Sequence, residues 1–137
     1  MVVVLLVISL TVAMALVRER LQLARARVSA QQFAVHLRSA RFTAVSQRSA
    51  ADVVVSADPE NSYEFTDVRG TTRTVRLPHG VRIVSSSSPI RFQANGSVTG
   101  GASTVLEVEL SGDRVERWTI DTVALGVPRV SRQRVDL

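Results

Sequence analysis

The sequence predicts an α+β chain in which one long N-terminal helix packs on a small antiparallel β-sheet domain. Three observations carry that prediction: an uncharged apolar opening, a helical period that continues from it without a break, and a change near Ala51 to short alternating runs rich in valine, threonine and isoleucine. The 137 residues, 45% hydrophobic and 21% charged, fit one compact domain. The chain has no cysteine, which removes disulfides, thiolate metal sites and cysteine nucleophiles, and its two histidines, His36 and His79, leave little imidazole chemistry.

Residues 1–17, MVVVLLVISLTVAMALV, carry no charge, glycine or proline, and only Ser9 and Thr11 are polar. As a helix they extend about 25 Å, close to the ~30 Å of a bilayer's hydrocarbon core, and are expected to be a transmembrane segment. Ala13-Met14-Ala15 also resembles the cleavage site of a secretory signal, but no positive region precedes the apolar run. A simple anchor is the other alternative. From Arg18 to about Arg48 the helical period persists: Ala26, Ala30, Phe33, Leu37, Ala40 and Ala44 form one apolar stripe, with Arg25, Arg27, Arg38 and Arg41 mostly away from it. Residues 18–50 are therefore expected to continue the same helix in amphipathic form.

Residues 51–137 are expected to form the sheet domain, with strands at 52–57, 62–67, 71–77, 81–84, 89–94, 104–110, 114–120 and 122–130. Turn residues separate them: Asp58-Pro59-Glu60-Asn61, Arg69-Gly70, Pro78-His79-Gly80, Asn95-Gly96 and Ser111-Gly112-Asp113, with a flexible serine run at 85–88. Glutamates alternate with apolar residues in Val105-Leu106-Glu107-Val108-Glu109-Leu110, the mark of one buried and one solvated face. The expected product is a single one-sided antiparallel sheet covered by the helix stripe.

Seventeen basic residues, all arginine, stand against 12 acids, for a net charge of +5. Residues 1–50 carry seven arginines and only Glu19, residues 51–128 are mildly acidic, and the last nine residues are basic again. Any polyanion site is thus expected at the ends. In the C-terminal tail Arg129, Arg132 and Arg134 are candidates for phosphate contacts, which would give weak, salt-sensitive nucleic-acid binding without sequence readout.

No catalytic constellation is visible. His36 lies beside Phe33 and Leu37, His79 sits in a turn, residues 85–88 lack a nucleophile elbow, and Gly100-Gly101 does not open a helix. Glu107, Glu109, Asp113 and Glu116 form a conceivable calcium set, but their alternation favours a solvated face. Asn95-Gly96-Ser97 matches a glycosylation acceptor and, better, a hairpin turn. Neither enzymatic activity, nor a cofactor, metal or small-molecule substrate, is expected.

Several stretches resemble the minor pseudopilins of the GspH/FimT family, within the type IV pilin-like proteins. These are Leu23-Ala24-Arg25-Ala26-Arg27 with the segment from Phe33 to Ala44; Leu77-Pro78-His79-Gly80-Val81; Ile90-Arg91-Phe92-Gln93-Ala94-Asn95-Gly96-Ser97 followed by Gly100-Gly101; and the closing Trp118-Thr119-Ile120-Asp121 and Gly126-Val127-Pro128-Arg129-Val130. The resemblance implies a pilin-like fold and a non-enzymatic subunit of a type II secretion pseudopilus or type IV pilus tip, supporting protein secretion across the outer membrane. It implies a prepilin that is processed and N-methylated, with a single pass in the bacterial inner membrane and the sheet domain in the periplasm. Its partners would be inner-membrane lipid and other pilin-like subunits. Two alternatives stay open: a DNA-binding minor pilin for natural transformation, and an anchored periplasmic domain unrelated to filaments.

The family's mature chain opens with a phenylalanine after a cleaved glycine and a nearby glutamate, and no such motif precedes Met1, so the true start is expected upstream. About six further residues would add ~9 Å of helix and complete a span. Arginines 18, 20, 25 and 27 follow the apolar run directly, a bias that ordinarily holds the flanking side in the cytoplasm. With the sheet domain outside, those arginines would instead meet lipid phosphates or acidic helices of neighbouring subunits.

Overall fold

Residues 1–110 and 113–136 are described by the computed structural model. Helix α1 spans Val2–Gln47, 46 residues without interruption and about 69 Å long. The first proline is Pro59 and the first glycine Gly70, so nothing in α1 kinks it. The helix stops where Arg48 turns left-handed at φ 50°, with the Arg48 N–H on the Val45 carbonyl and the Ser49 N–H on that of Ala44.

Eight strands follow: β1 (Ala51–Ser56), β2 (Ser62–Thr66), β3 (Thr72–Arg76), β4 (Val81–Ser86), β5 (Ile90–Phe92), β6 (Ala102–Leu110), β7 (Arg114–Thr122) and β8 (Pro128–Asp136). The expected long helix on antiparallel strands is present, but the strands make two four-stranded sheets, not one. Their orders are β3-β2-β1-β5 and β4-β6-β7-β8, and every pairing is antiparallel. The chain crosses between the sheets three times, from β3 to β4, from β4 to β5 through the serine run, and from β5 to β6. That run is tethered to both sheets and is not the loose connection expected: Ser85 and Ser86 belong to β4, the Ser87 N–H donates to the Ser103 carbonyl at 2.9 Å, and Ser88 Oγ accepts from the Val55 N–H at 3.1 Å.

The other correction falls on the last strand. Residues 122–130 do not form one strand, because the Gly126 N–H donates to the Val123 carbonyl at 2.7 Å and Gly126 adopts φ 86°, making a turn between β7 and β8. The apolar residues Val123 and Leu125 look like strand in sequence, yet both are exposed on this turn. The basic segment that follows, expected as a tail, is paired along β7 as the edge strand β8. In the Ser111-Gly112-Asp113 turn, Ser111 and Gly112 lie outside the described residues.

The core lies between α1 and the two sheets. Alternate residues of the strands point inward, among them Val53, Phe65, Ile83, Phe92, Leu106, Val108, Trp118 and Ile120, all nearly inaccessible to solvent. On α1, Ala26, Ala30, Phe33, Leu37, Ala40 and Ala44 meet them. Four of these six are alanines, which lets the helix axis approach two sheets closely while Phe33 and Leu37 fill the space between them. The outer strand β3, with its alternating arginines and threonines, is mostly exposed, a composition that discourages edge-to-edge pairing.

Candidate functional site

The first part of α1 is bare. Its apolar window has a mean hydropathy of 2.3 and none of it is buried by the rest of the chain, so this one helix is long and apolar enough to cross a membrane. Glu19, the only acid on the helix, marks the point where the sheets begin, and its carboxylate pairs with the Arg114 guanidinium of β7 at 2.8 Å.

Beyond Glu19 the helix is locked to the sheets by two ring contacts and two hydrogen bonds as well as by the stripe. Phe33 packs edge-on against Tyr63 at 4.7 Å, His36 stacks on Phe65 at 4.4 Å, and His36 Nδ1 lies 2.6 Å from the Tyr63 hydroxyl. Burial, aided by the nearby positive charge of Arg73, holds the His36 imidazole below its ordinary pKa, and burial pushes the Tyr63 phenol up. Both groups are therefore neutral at pH 7 and share one hydrogen bond between Nδ1 and the phenol oxygen. Farther along, Arg41 Nε donates to the Gly96 carbonyl at 3.1 Å. There the turns around Gly96 and Gly126 touch: a Cβ on Gly126 would stand 1.9 Å from the Gly96 oxygen, so that position admits only glycine.

The face of α1 turned away from the sheets has its own pattern, which the sequence reading did not single out. Leu21, Val28, Val35 and Phe42 repeat every seven residues, about half a turn round from the buried stripe, and are 48%, 60%, 54% and 60% exposed. The signal that would have found them is that seven-residue interval.

The candidate phosphate-binding arginines divide. On β8, Arg132 and Arg134 sit opposite Trp118 and Glu116 of β7, on the sheet face that looks toward the core. Arg132 Nε pairs with one carboxylate oxygen of Glu116, and Arg134 Nε lies 3.3 Å from the other. The Arg132 guanidinium also covers the Trp118 ring at 5.6 Å. Glu116 itself is 1% exposed. Arg129 makes no ion pair among the described residues and borders an open groove of about 710 Å³, across from Arg38 and Val35 of α1.

The acids expected on a solvated face are thus not all solvated. Glu116 faces the core, and Glu107 is 7% exposed, paired with Arg117 at 2.6 Å and approached by Arg82 at 3.8 Å. Alternation put Glu107 and Glu109 on one face but grouped Glu116 with them wrongly, and it did not show the arginines that the register sets directly opposite, Arg82 and Arg117 on Glu107 and Arg134 on Glu116. Among the described residues, no group of three or more metal-ligating side chains converges.

No protein-family model matches the chain, and no curated protein sequence matches it. Solved structures do. The minor pseudopilin EpsH from the type 2 secretion system of Vibrio cholerae superposes with a TM-score of 0.61 at 19% identity, covering 78% of this chain and 96% of that one. The fold is pilin-like. The type IV minor pilin FimU of Pseudomonas aeruginosa gives TM-scores of 0.53 and 0.51 in two crystal forms, at 16% and 18% identity, over 79% and 78% of this chain and 87% and 91% of FimU.

Proposed function

We propose that the chain is a minor pilin-like subunit, structural and not enzymatic, of a type II secretion pseudopilus or a type IV pilus. The single observation that carries this reading is the unbroken 46-residue helix, bare and apolar at its start and packed on the sheets beyond Glu19. A helix of that design holds a subunit in the inner membrane and then transfers the same apolar surface to helices of neighbouring subunits, with the sheet domain in the periplasm. The stretches that resemble the GspH/FimT family support a minor-pseudopilin reading, and the likeness to EpsH supports the secretion version. Domain use follows: residues 1–17 in lipid, 18–50 linking, 51–137 contacting neighbours.

The test is made in membranes of the native host. The expected result is an N-terminal peptide that begins upstream of Met1 with a processed, N-methylated phenylalanine, and cross-links from Leu10 to other pilin-like subunits. A chain that begins at Met1 and cross-links to no such subunit overturns the reading in favour of an ordinary anchored domain. DNA capture through Arg129, Arg132 and Arg134 has weaker support, because two of the three are held by Glu116.

A further inference from the structure

The seven-residue ladder on the outward face of α1 stays about half exposed or more among the described residues, and its surroundings state what kind of partner it takes. Arg20, Arg27 and Arg38 lie along one flank of the ladder, and Arg18 and Arg25 along the other, all exposed. No acid lies on this face: the helix carries only Glu19, which points to the sheets and is engaged by Arg114. We propose that this face docks an apolar-seamed helix flanked by aspartate or glutamate, belonging to a different subunit, and that it excludes a second copy of this chain. The proposal rests on the filament reading for its setting and adds the chemistry of the neighbour.

The spacing is that of a helix–helix seam, since residues seven apart return to nearly the same side of a helix. Flanking charges then choose the partner: in such seams, opposite charges across the rim select and like charges reject. Against a copy of itself, no flanking arginine meets an acid, and the arginine-rich stretch from Arg18 to Arg27 meets its own like charges. Sliding one copy along the other does not help, because no exposed acid occurs anywhere on the helix to be brought into register. Lipid is the other source of negative charge. It reaches Arg18 and Arg20, but Val35 and Phe42 lie about 27 and 38 Å along the axis from Val17, beyond a headgroup layer of roughly 5–8 Å. A partner that covers the whole ladder is therefore a helix.

The proposal is tested with the full chain in nanodiscs of zwitterionic lipid and three labelled helical peptides. Two share one leucine seam and differ in glutamate or lysine flanks; the third is residues 18–48 of this chain. The glutamate-flanked peptide is expected to bind about tenfold tighter than the lysine-flanked one at low salt, with the difference shrinking as salt rises. The triple variant Arg20→Glu, Arg27→Glu, Arg38→Glu is expected to reverse that preference, and Val35→Asp to abolish binding of both peptides. These positions are exposed, and unchanged emission from Trp118 verifies the fold of each variant. Equal binding of the two designed peptides, binding of neither, or equally tight binding of residues 18–48 overturns the proposal. Displacement of the glutamate-flanked peptide by anionic lipid in the nanodisc does so too, by naming lipid as the occupant. The filament reading is judged separately by its cross-links: a chain that enters filaments without preferring acid flanks loses this inference alone.

Discussion

Glu116 and its two arginines give a prediction whose sign and order follow from unequal burial. The carboxylate is 1% exposed, whereas the side chains of Arg132 and Arg134 are each 53% exposed. Removing the acid, by Glu116→Gln, leaves two half-exposed guanidiniums that turn into water, and the loss is confined to the charged character of the hydrogen bonds, about 1–2 kcal/mol. Removing both bases, by Arg132→Gln with Arg134→Gln, strands a carboxylate next to Val108 in the sheet face that meets the helix, and the penalty for an uncompensated buried charge is about 3–5 kcal/mol. The double arginine variant is therefore expected to be the less stable of the two. Urea denaturation of the full chain in detergent micelles measures this directly, with Trp118 as a reporter: it is the only tryptophan, 3% exposed, and lies under Arg132. An acid variant as unstable as the arginine pair, or more so, would refute the reasoning from burial.

Three further outcomes are expected. Gly126→Ala should lose about 2 kcal/mol or more, because its Cβ would overlap the Gly96 oxygen at 1.9 Å and its φ of 86° is strained for alanine; the same urea curves read this. Ala30→Leu overfills the contact between helix and sheets, where Ala30 is 0% exposed, and should cost about 1–3 kcal/mol without detaching the protein from membranes, as fractionation would show. The depressed pKa of His36 makes the unfolded state the better proton binder below pH 6.5, so stability is full above that value and falls as pH drops from 6.5 toward the folded pKa; His36→Gln should flatten this part of a stability–pH profile.

The helix was legible because its evidence is repeated. Six stripe residues at helical spacing and the absence of glycine or proline before Pro59 all say the same thing, and the structure adds only its left-handed stop at Arg48. Strand positions were legible where alternation is strict, as in Ser62–Thr66, and lost where apolar residues serve a turn, as at Val123 and Leu125. Pairing was not legible at all. Nothing local tells Ser87 and Ser88 to carry the chain from one sheet to another, since that depends on partners such as Ser103 and Val55, 16 and 33 residues away. The candidate site shows the same limit: three arginines in nine residues advertise a basic tail, and only the register of β8 on β7 reveals that two of them serve a buried acid.

The two apolar patterns on α1 also differ in what they demand of a partner. Ala26 and Ala44 are about five full turns apart, so the buried stripe runs straight along the axis and suits attachment to the sheets. The outward ladder repeats every seven residues and slips about 20° per repeat on a helix of 3.6 residues per turn, or roughly 60° from Leu21 to Phe42. With the sheets fixed to one side, α1 is not free to supercoil and bring those rungs into line. A partner helix is then expected to cross at a shallow left-handed angle, touching Val28 and Val35 most closely and diverging at both ends. Spin labels at the four rungs and at matching positions on the glutamate-flanked peptide measure this: the central separations should be the shortest. Four equal separations would mean that α1 supercoils with the sheets attached, and the argument from spacing would fail.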